Sequence, residues 1–313
     1  MIIYQPTPAI VWFMGFFEIN FYFGLFRIVL VHYREINSDN QHLTKMKVLV
    51  IGAGNMGLTY SEGMAKSPLL GKHNLKIYDT DPKKITKLSK EPHFDVYDNL
   101  DDCLPKADIV FLAVKPYHID SLFKSMASQI NDQQLFVSLM AGVTIDTIKT
   151  QLGATKVVRA MPNLPAKVGK GVTSYTESAE VSKVELIMVR NLLDTTGTSI
   201  HVDTENFIDA STGISGSGPA YVFYFMQSML DAALKMGFST YDSKVLVSNT
   251  FEGAIELFNQ SDISPETWIS RVASKGGTTQ AAIDSMDDNN VKQLIQDAAY
   301  AAFDRATELG KEK

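Results

Sequence analysis

From Met46 onward the chain alternates short apolar runs with longer amphipathic stretches. Val48 to Ile51, Leu75 to Tyr78, Ile109 to Val114, Leu135 to Leu139, Val157 to Ala160, Val172 to Tyr175 and Ser199 to Val202 are too short for helices and rich in β-branched or aromatic residues. Such runs read as strands, and the nearly unbroken apolar ones as strands buried on both faces. Helical periodicity fills most of the gaps between them. Strand and helix in alternation predict an α/β fold with a doubly wound, Rossmann-type parallel sheet. Past about Asp209 the strand pattern stops. Ala220 to Met236, Tyr241 to Phe258, Pro265 to Ala273, Thr279 to Met286 and Asn290 to Leu309 read as helices, with Gly237 and Gly310 as C-terminal stops. The predicted organisation is an α/β domain over 46–206 and a helical domain over 207–313, with the boundary near Thr204 to Asp209.

One predicted helix changes the expected assembly. Tyr221 to Leu234 carries Val222, Phe223, Phe225, Met226, Met229 and Leu230 around more than one face. A helix apolar nearly all round must be covered, and one small helical domain offers little cover. A homodimer or larger homo-oligomer built through this domain is expected. The first 45 residues stand apart. Ala9 to Val31 is apolar and long enough to span a bilayer, yet Glu18, Asn20 and Arg27 interrupt it. A charge near the bilayer centre costs about 2.5 to 3.5 kcal/mol on insertion scales, and the flanks do not match a signal peptide. The expectation is that the working chain starts at Met46, directly before the first strand. A membrane or interfacial anchor and a soluble appendage are the alternatives.

Three glycine-rich segments carry the candidate chemistry. In KVLVIGAGNMG, Gly52, Gly54 and Gly57 follow a strand and open a helix at G-x-G-x-x-G spacing, which points to a dinucleotide site. Gly52 serves the tight turn, Gly54 the approach of a pyrophosphate to main chain, and Gly57 the packing of helix on strand. Asp79 ends the next strand, where a carboxylate accepts hydrogen bonds from the adenosine ribose and repels a 2′-phosphate, which argues for NADH. Lys83 and Lys84 lie just beyond it and suit either a 2′-phosphate or a plain solvated helix start, so NADPH or NADH stays open. In SGSGP, Ser215 to Pro219, small residues precede a helix whose free N–H groups attract anions. The plain alternative there is a tight interdomain turn. In ASKGGTTQ, Ser274, Thr278 and Thr279 offer hydroxyls beside a helix start suited to a small carboxylate, or one of them is a simple cap.

With these segments in view, the chain from Met46 onward resembles the pyrroline-5-carboxylate reductase family. The resemblance rests on GAGNMG (Gly52 to Gly57), AVKP (Ala113 to Pro116), RAMPNLP (Arg159 to Pro165), DASTGISGSGPAY (Asp209 to Tyr221) and SKGGTT (Ser274 to Thr279), in that order. The family usually has proline where Lys275 stands and an acidic residue where Gln227 stands. The resemblance implies hydride transfer from NADPH or NADH to the C=N carbon of 1-pyrroline-5-carboxylate, giving L-proline. It implies that Ser274 and the N–H groups of Gly276, Gly277 and Thr278 receive the substrate carboxylate while the Thr279 hydroxyl meets the ring nitrogen, with Thr279 and Ser274 as the catalytic pair and Ser217 as a further substrate-binding residue. It also implies that Gly52, Ala53, Gly54, Asn55, Met56, Gly57 and Asp79 hold the adenosine and pyrophosphate end of the cofactor. Ala113, Val114, Lys115, Pro116, Met161, Pro162 and Asn163 are then expected around its nicotinamide end. The implied site lies between the sheet and the helical domain, with room for residues of a partner chain.

Composition trims the alternatives. The 313 residues are 45% hydrophobic with a formal net charge of -6, enough for two cores and poorly suited to nucleic acid. Cys103 is the one cysteine, which fits a reducing, cytoplasmic compartment. The six histidines show no paired ligand spacing, so no metal is expected. A β-hydroxyacid dehydrogenase would need a lysine in the first long helix of the second domain, and Ala220 to Leu234 has none. A non-catalytic nucleotide-binding sensor is the other rival.

Overall fold

The computed structural model describes residues 46–71 and 73–311, so the expectations for the first 45 residues lie outside it. An eight-stranded sheet forms the centre: β1 (Val48–Ile51), β2 (Leu75–Tyr78), β3 (Asp95–Tyr97), β4 (Ile109–Leu112), β5 (Leu135–Ser138), β6 (Lys156–Met161), β7 (Gly171–Glu177) and β8 (Gly197–His201). The spatial order is β3-β2-β1-β4-β5-β6-β7-β8. The sheet is entered at β1, continues outward through β2 and β3, then returns to place β4 on the other side of β1. That reversal creates a crevice at the carboxyl ends of β1 and β4, where open α/β sheets hold their ligands.

All pairs are parallel except β6 with β7. The exception follows from the connection. Residues 162–170, with one short turn of 3₁₀-helix at Leu164–Val168, join β6 to β7, too short a link for the crossover that a parallel partner needs. β3 was not legible beforehand, being three residues at the sheet edge and only partly buried.

Helices cover both faces. α1 (Asn55–Lys66) and α5 (Lys183–Leu193) pack Tyr60, Met64, Val189, Leu192 and Leu193 against Val48, Val50 and Phe111. α3 (Ile119–Met126) and α4 (Ile145–Leu152) pack Phe123, Met126, Ile148 and Leu152 against Leu49, Ile51 and Val110. Alternate residues of each central strand therefore feed opposite cores, which explains why these strands are apolar throughout. α2 (Pro82–Leu88) follows β2, capped by the Asp81 side chain, which accepts from the Lys83 N–H.

The last strand ends at His201 and only helices follow. These are α6 (Glu205–Ser211), α7 (Gly218–Lys235), α8 (Thr240–Asn259), α9 (Pro265–Val272), α10 (Thr278–Asp288) and α11 (Val291–Lys311). Gly237 adopts φ +99 just after α7, as a helix stop should. Gly310 does not stop α11, which runs on to Lys311. The SGSGP segment also departs from expectation. Instead of an open turn, Thr212–Gly216 forms a π-helical turn that joins α6 to α7 almost without a break. Gly213 is required there, because a Cβ would meet the Ala299 carbonyl at 2.9 Å and the Phe303 amide at 3.1 Å where α11 crosses.

α7 to α11 are poorly covered within one protomer. Their buried residues amount to little more than Ala233, Ser243, Val247 and Ala306, while Phe223, Tyr224, Met229, Leu246 and Tyr300 are exposed. Among the described residues no helix is long and apolar enough to cross a membrane.

Candidate active site

At the switch point between β1 and β4, Gly52 turns the chain with φ +98, a backbone shape that favours glycine. A Cβ on Gly57 would strike the Gly52 carbonyl oxygen, so α1 sits against the strand end only because residue 57 has no side chain. A Cβ on Gly54 would meet nothing within 4 Å, so its main chain faces open space. No side chain caps α1, whose first turn carries no acidic residue. An approaching pyrophosphate therefore finds uncovered N–H groups, the positive end of a helix dipole and no competing carboxylate. The loop fits a dinucleotide in shape and in charge.

Ala113 to Pro116 line the other side. The Ala113 N–H donates to the Ile51 carbonyl (2.9 Å), and the Ala113 carbonyl and Val114 side chain lie against Gly52, where a Cβ would come within 3.0 Å of both. Asp79 follows the end of β2, beside the loop. Its carboxylate accepts from the Ala53 N–H (2.7 Å), the Asp81 N–H (2.9 Å) and the Lys84 ammonium (3.0 Å), and its side chain is only 8% exposed. Burial pushes this carboxyl upward, but the two amides and Lys84 together outweigh burial and hold it below its ordinary value. Lys167, on the β6–β7 connection, reaches to 3.5 Å from the Asn55 side-chain oxygen at the start of α1. Nothing in the sequence marked this second cation beside the loop.

The end of β6 brings the third and fourth motifs together. Asn163 accepts from the Val172 N–H (2.9 Å) and donates to the Ser215 carbonyl (3.1 Å), so its amide joins the sheet to the π-helical turn. Met161 packs on Gly216, where a Cβ would lie 2.9 Å from the methionine methyl. The Ser217 N–H donates to the Thr212 carbonyl (2.8 Å), so this main chain is less bare than its small residues suggest. Below this contact Arg159, 2% exposed, is bracketed by Glu205 (2.9 Å) and Asp209. Glu205 also accepts from the Ile145 N–H. This part-buried cluster anchors α6 to β6 and thereby sets where the π-helical turn lies.

The fifth motif stands apart. Gly276 has φ +73, the Gly277 N–H donates to the Ser274 carbonyl (2.9 Å), and Gly277 opens α10 without a side-chain cap. A Cβ on Gly277 would come within 2.6 Å of the Ser274 hydroxyl. The loop is largely exposed, α10 packs against α11, and no hydrogen bond joins residues 273–280 to the glycine loop or to Met161–Asn163. Ser274, Thr278 and Thr279 keep their hydroxyls free of partners within the described protomer.

Residues 205–309 match the family model described as pyrroline-5-carboxylate reductase dimerisation, and residues 47–142 match the one described as NADP oxidoreductase coenzyme F420-dependent. A pyrroline-5-carboxylate reductase of Pseudomonas aeruginosa is 33% identical over 267 residues, covering 85% of this chain and 97% of that protein. The chain belongs to the pyrroline-5-carboxylate reductase family. Pyrroline-5-carboxylate reductase 2 of Bacillus subtilis is 31% identical, covering 84% of this chain and 95% of that protein. The crystal structure of the Plasmodium falciparum reductase with NADP bound superposes with a TM-score of 0.78 at 28% identity, covering 86% of this chain and 99% of that one. The Coxiella burnetii reductase gives 0.77 at 28% identity, covering 84% and 98%. With the dimerisation region present, the uncovered faces of α7 to α11 are those of a homo-oligomer.

Proposed function

We propose that this chain reduces 1-pyrroline-5-carboxylate to L-proline with NAD(P)H, the last step of proline biosynthesis, as a homodimer or a larger assembly of dimers in the cytoplasm. Family membership over nearly the full length of its relatives carries the reading. The open Gly54 face and the uncapped start of α1 support it physically. When bound, the reduced nicotinamide supplies the hydride.

The protein's part is positioning. Gly52 to Gly57 receive the pyrophosphate, and Asp79 with Ala53 shapes the adenosine end. Ala113 to Pro116 and Met161 to Asn163 form the rim where the nicotinamide end rests. Ser274, Gly276, Gly277 and Thr278 take the substrate carboxylate, and the Thr279 hydroxyl faces the ring nitrogen. No histidine or cysteine stands among these residues. The proton on the imine nitrogen then comes from solvent or arrives with the substrate. Because residues 273–280 make no hydrogen bond to the glycine loop in one protomer, their unpartnered hydroxyls are suited to a site finished at the oligomer interface.

Isotope transfer tests the reading. With NADPH deuterated at the reducing carbon of the nicotinamide, the label should appear on the proline carbon that was C=N. Proline without label, or cofactor oxidised without proline, would contradict it. A nucleotide-binding sensor would consume neither.

A further inference from the structure

We propose that Lys84 reads the 2′-phosphate of the cofactor, and that Asp79 serves as the pin that holds Lys84 and the glycine loop in place. This deepens the dinucleotide reading above and rests on it. A carboxylate at the end of β2 rejects a 2′-phosphate when its oxygens point at the ribose. Here both oxygens of Asp79 are engaged inside the protein. One accepts from Asp81, and the other accepts from both Ala53 and Lys84.

The oxygen shared by the Ala53 amide and the Lys84 ammonium brings that ammonium beside the glycine loop. The Gly52 N–H also donates to the Tyr78 carbonyl (2.8 Å), so the end of β2 and the loop are tied at two points. Lys84 remains 42% exposed and keeps further donors for a second anion. The other charges close by are Asp81, which accepts from the Lys83 N–H to cap α2, and Lys83 itself, which is exposed. A phosphate on the adenosine ribose would thus meet an ammonium backed by a neutralised carboxylate, and NADPH should bind more tightly than NADH.

Direct binding to the full-length chain tests this without turnover, by titrating NADPH, NADH and the nicotinamide-free probe 2′,5′-ADP. Lys84→Met, which keeps the stem and drops the charge, should weaken NADPH and 2′,5′-ADP by about tenfold, the scale of one charge-assisted hydrogen bond. NADH should shift by less than about twofold. Lys84→Arg should restore most of the loss, and Lys83→Met should change neither cofactor. Equal losses for NADPH and NADH in Lys84→Met, or no loss in either, would overturn the role of Lys84, as would wild-type preference for NADH. If the wild-type chain bound none of the three, the dinucleotide reading itself would fail.

Discussion

Thr279 is proposed to meet the ring nitrogen, and its hydroxyl has no partner in the described protomer. Thr279→Ala should therefore leave folding and cofactor affinity intact and lower kcat/KM for pyrroline-5-carboxylate. A lost bond of about 1 to 3 kcal/mol corresponds to a roughly five- to 150-fold loss. Steady-state kinetics, with cofactor titration as the control, checks it. Asp79 gives a pH signature. Its carboxyl is held below its usual value, so its stabilisation is present above about pH 4, the range of an unperturbed carboxyl, and is lost as pH falls through the folded value. The stability gap between wild type and Asp79→Asn in urea melts should be constant near neutrality and close on acidification. Cys103 is fully buried, and burial pushes its thiol up to about 11. It should ignore a thiol reagent at neutral pH in the native protein and react once urea unfolds the chain.

At the scale of elements, the central strands were readable because burial on both faces makes them apolar throughout, and the glycine loop because its G-x-G-x-x-G directly follows one of them, β1. The π-helical turn was not readable. Gly-Ser-Gly-Pro has the composition of a loop, and the close crossing of α11 over Gly213 is a long-range contact that the local sequence does not display. The Arg159 cluster was equally hidden, since Glu205 and Asp209 lie 46 and 50 residues away in sequence. For Lys84 the sequence left a 2′-phosphate contact and a solvated helix start both open, and its ion pair with Asp79 is what puts its ammonium beside the glycine loop. Arg159→Met would leave two partly exposed carboxylates facing each other. It should cost about 2 to 4 kcal/mol, somewhat less than a fully buried pair, read as a lower urea midpoint. Gly277→Val should harm turnover more than Thr279→Ala does, because a side chain at 277 collides with Ser274 and opens the turn proposed to hold the carboxylate.

For the whole molecule, the sheet and the helices play separate parts. The sheet and its flanking helices bury a core on each face within one protomer. α7 to α11 leave Phe223, Tyr224 and Met229 in solvent, as helices do when another copy covers them. The sequence showed that α7 is apolar nearly all round, but which exposed face meets which neighbour depends on contacts between chains that no local pattern encodes. Phe223→Asp should dissociate the oligomer in sedimentation velocity and lower turnover with it. The most direct test of hydride transfer to the imine is the stoichiometry of one reaction. Full-length protein is given NADPH, with and without pyrroline-5-carboxylate, and oxidised cofactor and proline are counted together. The expected result is no oxidation without the imine and one proline formed per cofactor oxidised with it. Cofactor bound but never oxidised, or oxidised without equal proline, would contradict a reductase working at this site.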